Sequence, residues 1–212
     1  MGAEAGRGWV DVSRPLKDGL PVWPGDRPFQ MHRRSEGGLV ISWFQTTCHV
    51  GTHVDAPLHV MEGGASLEEI PLERFLGPVE VVETPGHGGR IRREDLPAGW
   101  VPAACRVFFR TGCCPAGMTE FPGGFPGLEV ALVEWLADRN VVLVGLDTPS
   151  VDPPDSKELP AHRALAERDM TWIEGLELAG VGPGLYEMVG LPLPLAAAEA
   201  APIRVLLRPV SG

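Results

Sequence analysis

The chain has 212 residues, among them 27 glycines and 22 prolines, with 44% hydrophobic and 22% charged residues and a formal charge of −10. Glycine and proline at about twice their usual share interrupt every long helical run and exclude a coiled coil, while the absence of a three-residue glycine period excludes collagen. An acidic chain whose only lysines are Lys17 and Lys157 is unsuited to a nucleic-acid backbone or an anionic membrane.

Taken from the N-terminus, Met1–Val10 lacks the charged-then-apolar pattern of a secretion signal, and Gly6 stands where a myristoylation signal needs Ser or Thr. Short strands between Gly/Pro turns are expected at Trp9–Ser13, Val40–Thr47, Val79–Glu83 and Arg106–Arg110. Leu128–Arg139 reads as a helix, because Leu128, Ala131, Leu132, Trp135 and Leu136 recur on one face and Asn140 offers a stop. The unbroken apolar run Val141–Leu146 suits a strand buried on both faces. A second helix is expected over Ala161–Asp169, after Pro160, then strands at Leu185–Leu191 and Ile203–Leu207. The pattern implies an α/β class, β-rich, with a mixed sheet and packed helices, in one domain over residues 1–212. No run approaches 18 apolar residues, so no membrane span is expected, and four cysteines without a C-x-x-C pair fit a reducing cytoplasm better than a disulfide scaffold.

Three of the six histidines fall within the string His49-Val-Gly-Thr-His-Val-Asp-Ala-Pro-Leu-His59. With Asp55 they offer imidazole nitrogens and a carboxylate, the donor set of zinc and related ions at hydrolytic sites. Gly51 and the β-branched Val50, Thr52 and Val54 oppose a helix, and Pro57 would end one. In a strand His49, Gly51, His53 and Asp55 share a face, Gly51 leaves room for an ion, and His59 lies on the turn beyond. Trp43, Phe44 and Val60 flank the string as core-type residues.

Two distant residues are candidates to complete such a site. Glu174 lies among Trp172, Ile173 and Leu176, where a buried carboxylate needs a counter-charge; the plainer reading is a solvent-facing position on a strand. His162 starts the expected second helix, where the helix dipole favours the neutral imidazole that metals need. His32 and His87 read as surface residues, and the Gly-rich loops Gly86–Gly89 and Gly123–Gly127 lack a phosphate-binding pattern.

The string His49–His59 resembles the H-x-G-T-H-x-D-x-P-x-H signature of the metal-dependent cyclase-like hydrolases. Within them the chain is most similar to the bacterial kynurenine formamidases, or arylformamidases. That similarity runs through Asp11–Leu16, Val22-Trp-Pro-Gly-Asp26, Phe125–Gly127, Gly145–Asp152, Asp155–His162 and Ile173–Glu177. The resemblance implies a cyclase-like swivelling β/β/α fold in homo-oligomers, commonly dimers. It implies two divalent ions, zinc or else manganese: His49, His53 and Asp55 hold one, and Asp55 bridges to a second held by His162 and Glu174. His59 is then the catalytic acid/base and Trp23 lines the substrate pocket. The implied reaction is hydrolysis of N-formyl-L-kynurenine to L-kynurenine and formate by a metal-activated water. The alternatives are a related amidase or cyclic imide hydrolase acting on isatin, and a non-catalytic metal-binding protein.

Overall fold

The computed structural model describes residues 8–84, 89–115 and 117–210; His87 lies outside them, as do most of the loop Gly86–Gly89 and the segment Met1–Arg7. In chain order the strands are β1 (Val10–Asp11), β2 (Gln30–Glu36), β3 (Leu39–Gln45), β4 (His53–Asp55), β5 (Leu76–Glu83), β6 (Gly89–Ile91), β7 (Arg106–Arg110) and β8 (Pro126–Leu128). Helix α1 (Val130–Ala137), β9 (Leu143–Leu146), helix α2 (Pro160–Glu167), β10 (Thr171–Glu174), β11 (Gly184–Pro192) and β12 (Ala200–Pro209) follow. Eight strands form one mixed sheet in the order β1-β12-β11-β5-β7-β9-β10-β4. Strands β5, β7, β9 and β10 are parallel, whereas β4 pairs antiparallel with both β10 and β12. The sheet therefore closes on itself at β4.

Both faces of the parallel strands are covered, as the Val141–Leu146 run requires. Leu143, Phe108 and Ile173 pack on one side with Val54 and Val205, while Val144, Val107 and Trp172 pack on the other against Leu132, Leu136 and Leu165 of the two helices. The mixed, sheet-rich α/β class expected from the sequence is the class observed. Helix α1 is shorter than its periodicity suggests, because Leu128 is spent on β8, and Asn140, with φ 60°, turns the chain into β9. Helix α2 stops at Glu167, and Asp169 adopts φ 51° just beyond it.

The hairpin β2–β3 stands apart from this sheet, joined by Gly37 and Gly38, both at positive φ as a tight two-residue turn demands. Its seven paired positions include β2, which the sequence reading missed. Trp43 and Phe44 are each 51% exposed on it, so they are not the core residues that they resemble in sequence.

Candidate metal centre and active site

Strand pairing builds the centre of the site. In the β4–β10 register Glu174 lies opposite His53, and Trp172 opposite Asp55. Because side chains alternate, Val54 and Ile173 enter the core on one side while His53, Asp55, Trp172 and Glu174 share the other. All four are buried. The turn of 3-10 helix Pro57–His59 brings His59 back over them, and the first turn of α2 supplies His162. Glu174 does not face solvent, which discards the plainer reading of that residue.

Two details differ from the strand expected over the histidine string. Only His53–Asp55 is strand, and His49 reaches the cluster from the bend before it. Gly51 has φ 61°, and a Cβ there would press on Leu16 and Leu20 at 3.0 and 3.2 Å. Its missing side chain serves that left-handed turn and the close packing behind it. Gly175, at φ 67°, is its counterpart: a Cβ there would stand 2.2 Å from the Gly51 carbonyl oxygen.

The two oxygens of Asp55 face different partners. Oδ1 lies 3.0 Å from His49 Nδ1 and 3.5 Å from His53 Nε2, whereas Oδ2 lies 3.8 Å from His162 Nε2. Glu174 spans the same divide, with Oε2 at 3.2 Å from His53 Nε2 and Oε1 at 3.3 Å from His162 Nε2. Asp55 Oδ1 is buried and has no hydrogen-bond partner, although two imidazole nitrogens approach it. A buried carboxylate oxygen without a partner is costly, and a cation among nitrogen and oxygen donors removes that cost. The residues present therefore fit a divalent ion. The trios His49, Asp55, His59 and His53, Asp55, Glu174 each offer donor atoms within 4.8 Å of one another.

Surrounding groups orient these donors. His162 Nδ1 lies 2.8 Å from Asp152, an acceptor that keeps a proton on Nδ1 and turns Nε2 towards the cluster. Asp152 also accepts from the backbone N–H groups of Ala161 and His162 and pairs with Arg90 at 2.8 Å. Trp172 Nε1 donates to Asp55 Oδ2 at 2.9 Å, and Val151 N donates to Glu174 Oε1 at 2.7 Å. Glu199 stands 3.5 Å from His49 Nε2. None of these supporting residues was singled out from the sequence. Trp172→Phe removes one hydrogen bond from Asp55 while keeping an aromatic ring in the core, so metal affinity should fall about 10–100-fold in a chelator-competition titration. Unchanged affinity would show that the indole does not orient Asp55.

Electrostatics separate His59 from His49 and His162. Burial opposes charge on His49 and His162, yet Asp55 raises His49 to about 9, and the Asp152 and Glu174 carboxylates raise His162 to about 10. For His59 burial prevails, helped by the charges of His49 and His162 against the pull of Asp55, and its imidazole is held below its ordinary value. Burial pushes Asp152 up, but hydrogen bonds from His162 and Arg90 outweigh it and hold the carboxyl at about 2. Two imidazoles are thus drawn to the carboxylates, whereas the His59 imidazole is biased towards its neutral form.

A cavity of about 400 Å³ opens onto the cluster, and His49, His53, His59, His162 and Glu174 lie on its wall. Trp23 lines it too, in edge contact with Phe121 at 5.2 Å and Phe125 at 6.5 Å between ring centroids. The structure thus gathers all seven sequence candidates, His49, His53, Asp55, His59, His162, Glu174 and Trp23, at one place. His32, by contrast, stacks on Trp43 in the hairpin, away from them.

Residues 10–153 match the Cyclase family model. The kynurenine formamidase of Bordetella petrii is 40% identical over 202 residues, which cover 93% of this chain and 96% of that protein. A solved structure described as a potential metal-dependent hydrolase with cyclase activity superposes with a TM-score of 0.83 at 31% identity, covering 97% of this chain and 99% of its own. Isatin hydrolase A from Labrenzia aggregata shares the fold, with a TM-score of 0.83 at 23% identity over 96% of this chain and 94% of its own.

Proposed function

The chain belongs to the Cyclase family, and from that premise we propose that it is a metal-dependent amide hydrolase that converts N-formyl-L-kynurenine to L-kynurenine and formate. The observation that carries this reading is an aromatic-walled cavity opening onto buried carboxylates whose oxygens face separate sets of imidazoles. His49, His53 and Asp55 would hold one divalent ion, and Asp55, His162 and Glu174 a second, with zinc the expected metal and manganese compatible with the same donors. Such ions, when bound, supply Lewis acidity and lower the pKa of water towards neutrality.

The protein's own groups do the remaining work. Trp23, braced by Phe121 and Phe125, gives the aryl ring of the substrate an apolar face. The attacking oxygen adds to the formyl carbon as its proton passes to His59, which burial keeps neutral and ready to receive it. The C–N bond then breaks. An arylamine leaves poorly as an anion, so His59 returns the proton to the nitrogen, and formate and the free amine depart.

We read residues 1–212 as one hydrolase domain that works as a cytoplasmic homodimer. Among the described residues no helix is long and apolar enough to cross a membrane. The hairpin supports the dimer by exposing Leu39, Ile41 and Trp43, alternate residues on one face of β3, as an apolar surface that a second copy would cover.

Side-by-side turnover of N-formyl-L-kynurenine and isatin tests the substrate. The formamide should be hydrolysed and isatin turned over poorly. Preference for isatin would reassign the protein to cyclic imides, and turnover of neither would revive a non-catalytic role.

A further inference from the structure

The cavity carries a charge that breaking a formamide bond does not use. Arg14 lies on its wall, in a chain with 28 acidic and 18 basic residues. Among the described residues its guanidinium meets carbonyls and no carboxylate: Nε donates to the Gly175 oxygen at 3.0 Å, and Nη2 to the Cys114 and Asp147 backbone oxygens at 2.7 and 3.4 Å. The carboxylate of Asp147 is engaged elsewhere, accepting from the Thr111 N–H and hydroxyl and the Gly112 N–H. The Arg14 backbone is anchored as well, its N–H donating to Thr52 Oγ1 at 2.9 Å, and that hydroxyl donates to the Gly175 oxygen at 2.7 Å.

Three carbonyls therefore aim the guanidinium without cancelling its charge, and Nη1 keeps its hydrogens free of partners among the described residues. Gly175 and Thr52 adjoin Glu174 and His53, so the charge is fixed beside the cluster. Lys157, one of only two lysines, is a second cation on the same wall, and Asp26 is an acid there outside the cluster. A neutral bicyclic substrate offers these groups no charge to pair with. An aryl formamide with an amino-acid tail presents a carboxylate and an ammonium.

We propose that Arg14 is a specificity residue whose guanidinium pairs with the α-carboxylate of the substrate's amino-acid tail. The assignment rests on the formamidase reading and adds to it how the tail is recognised. A planar fork held at one edge presents its free N–H groups to a carboxylate with little ordering cost. Asp26 gives the ammonium an acidic neighbour, and Lys157 raises the local concentration of anions at the wall.

Kinetics of N-formyl-L-kynurenine and its α-methyl ester, in which a neutral ester replaces the carboxylate, test the assignment on the unaltered enzyme. The acid should be favoured by about 10–100-fold in kcat/KM, chiefly through KM, as loss of a hydrogen bond to a charged group implies. Arg14→Met should bring the acid-to-ester ratio towards one, and Arg14→Lys should restore part of it. Equal KM values for acid and ester in the unaltered enzyme would overturn the assignment without any variant. So would an Arg14→Met enzyme that keeps the ratio. Failure to hydrolyse either compound would instead reject the formamidase reading on which the assignment rests.

Discussion

Replacing Asp55 by Ala is expected to empty both proposed ion positions together and to lower turnover by about a thousandfold or more, the scale of losing several kcal/mol of Lewis-acid stabilisation. The expectation follows from the two faces of one carboxylate. Oδ1 is the buried oxygen without a hydrogen bond, beside His49 and His53, and Oδ2 is braced by Trp172 on the side of His162. Glu174 also reaches both sides, but meets one imidazole on each, His53 and His162, whereas Asp55 Oδ1 alone faces both His49 and His53. Metal content per chain, measured by mass spectrometry on protein whose circular dichroism matches the parent, reads the result. Loss of a single ion would refute the bridging role, and full retention would remove Asp55 from the ligand set.

His59→Ala should be nearly as damaging by a different route. The loss expected is about 10²–10⁴-fold in kcat, the range for a general acid–base, with metal content nearly unchanged. The structure sharpens the contrast, because His59 also has a ring nitrogen within ligand range of His49 and Asp55. If the variant loses an ion, His59 is a ligand and the proton-transfer role belongs elsewhere. The pH profile gives a second readout. A base works only when neutral, and burial lowers the His59 value, so activity should persist below about pH 6.5, the reference for a free imidazole, and fall as pH drops through that lowered value. This acidic limb should vanish in the variant.

Part of this architecture is readable in residue order. The periodic face of α1 and the unbroken apolar run of β9 have no partner element competing for them, so local pattern and packing agree. The string His49–His59 stands out because three histidines and a carboxylate fall within eleven residues, and Glu174 because it lies beside Trp172 and Ile173, whereas Trp23 is marked only by the family resemblance. Strand β2 escaped notice because Gln30-Met-His-Arg-Arg-Ser-Glu36 has neither an apolar face nor a helical period; its pairing with β3 holds it. The boundary of β4 was misplaced because composition cannot reveal that Gly51 takes a left-handed conformation to pack behind Gly175. Asp152, Trp172 and Arg14 act through partners 10 to 161 positions away in the chain, and such distances leave no mark on local pattern.

Ions held by this cluster are proposed to enable hydrolysis of an aryl formamide in this cavity. Their role is tested most directly by the rate of N-formyl-L-kynurenine hydrolysis before chelation, after exhaustive chelation, and after zinc is restored in stepwise amounts. Activity should be lost on chelation and recover to saturation as the second ion per chain is added. Undiminished hydrolysis by fully demetallated protein would contradict that role.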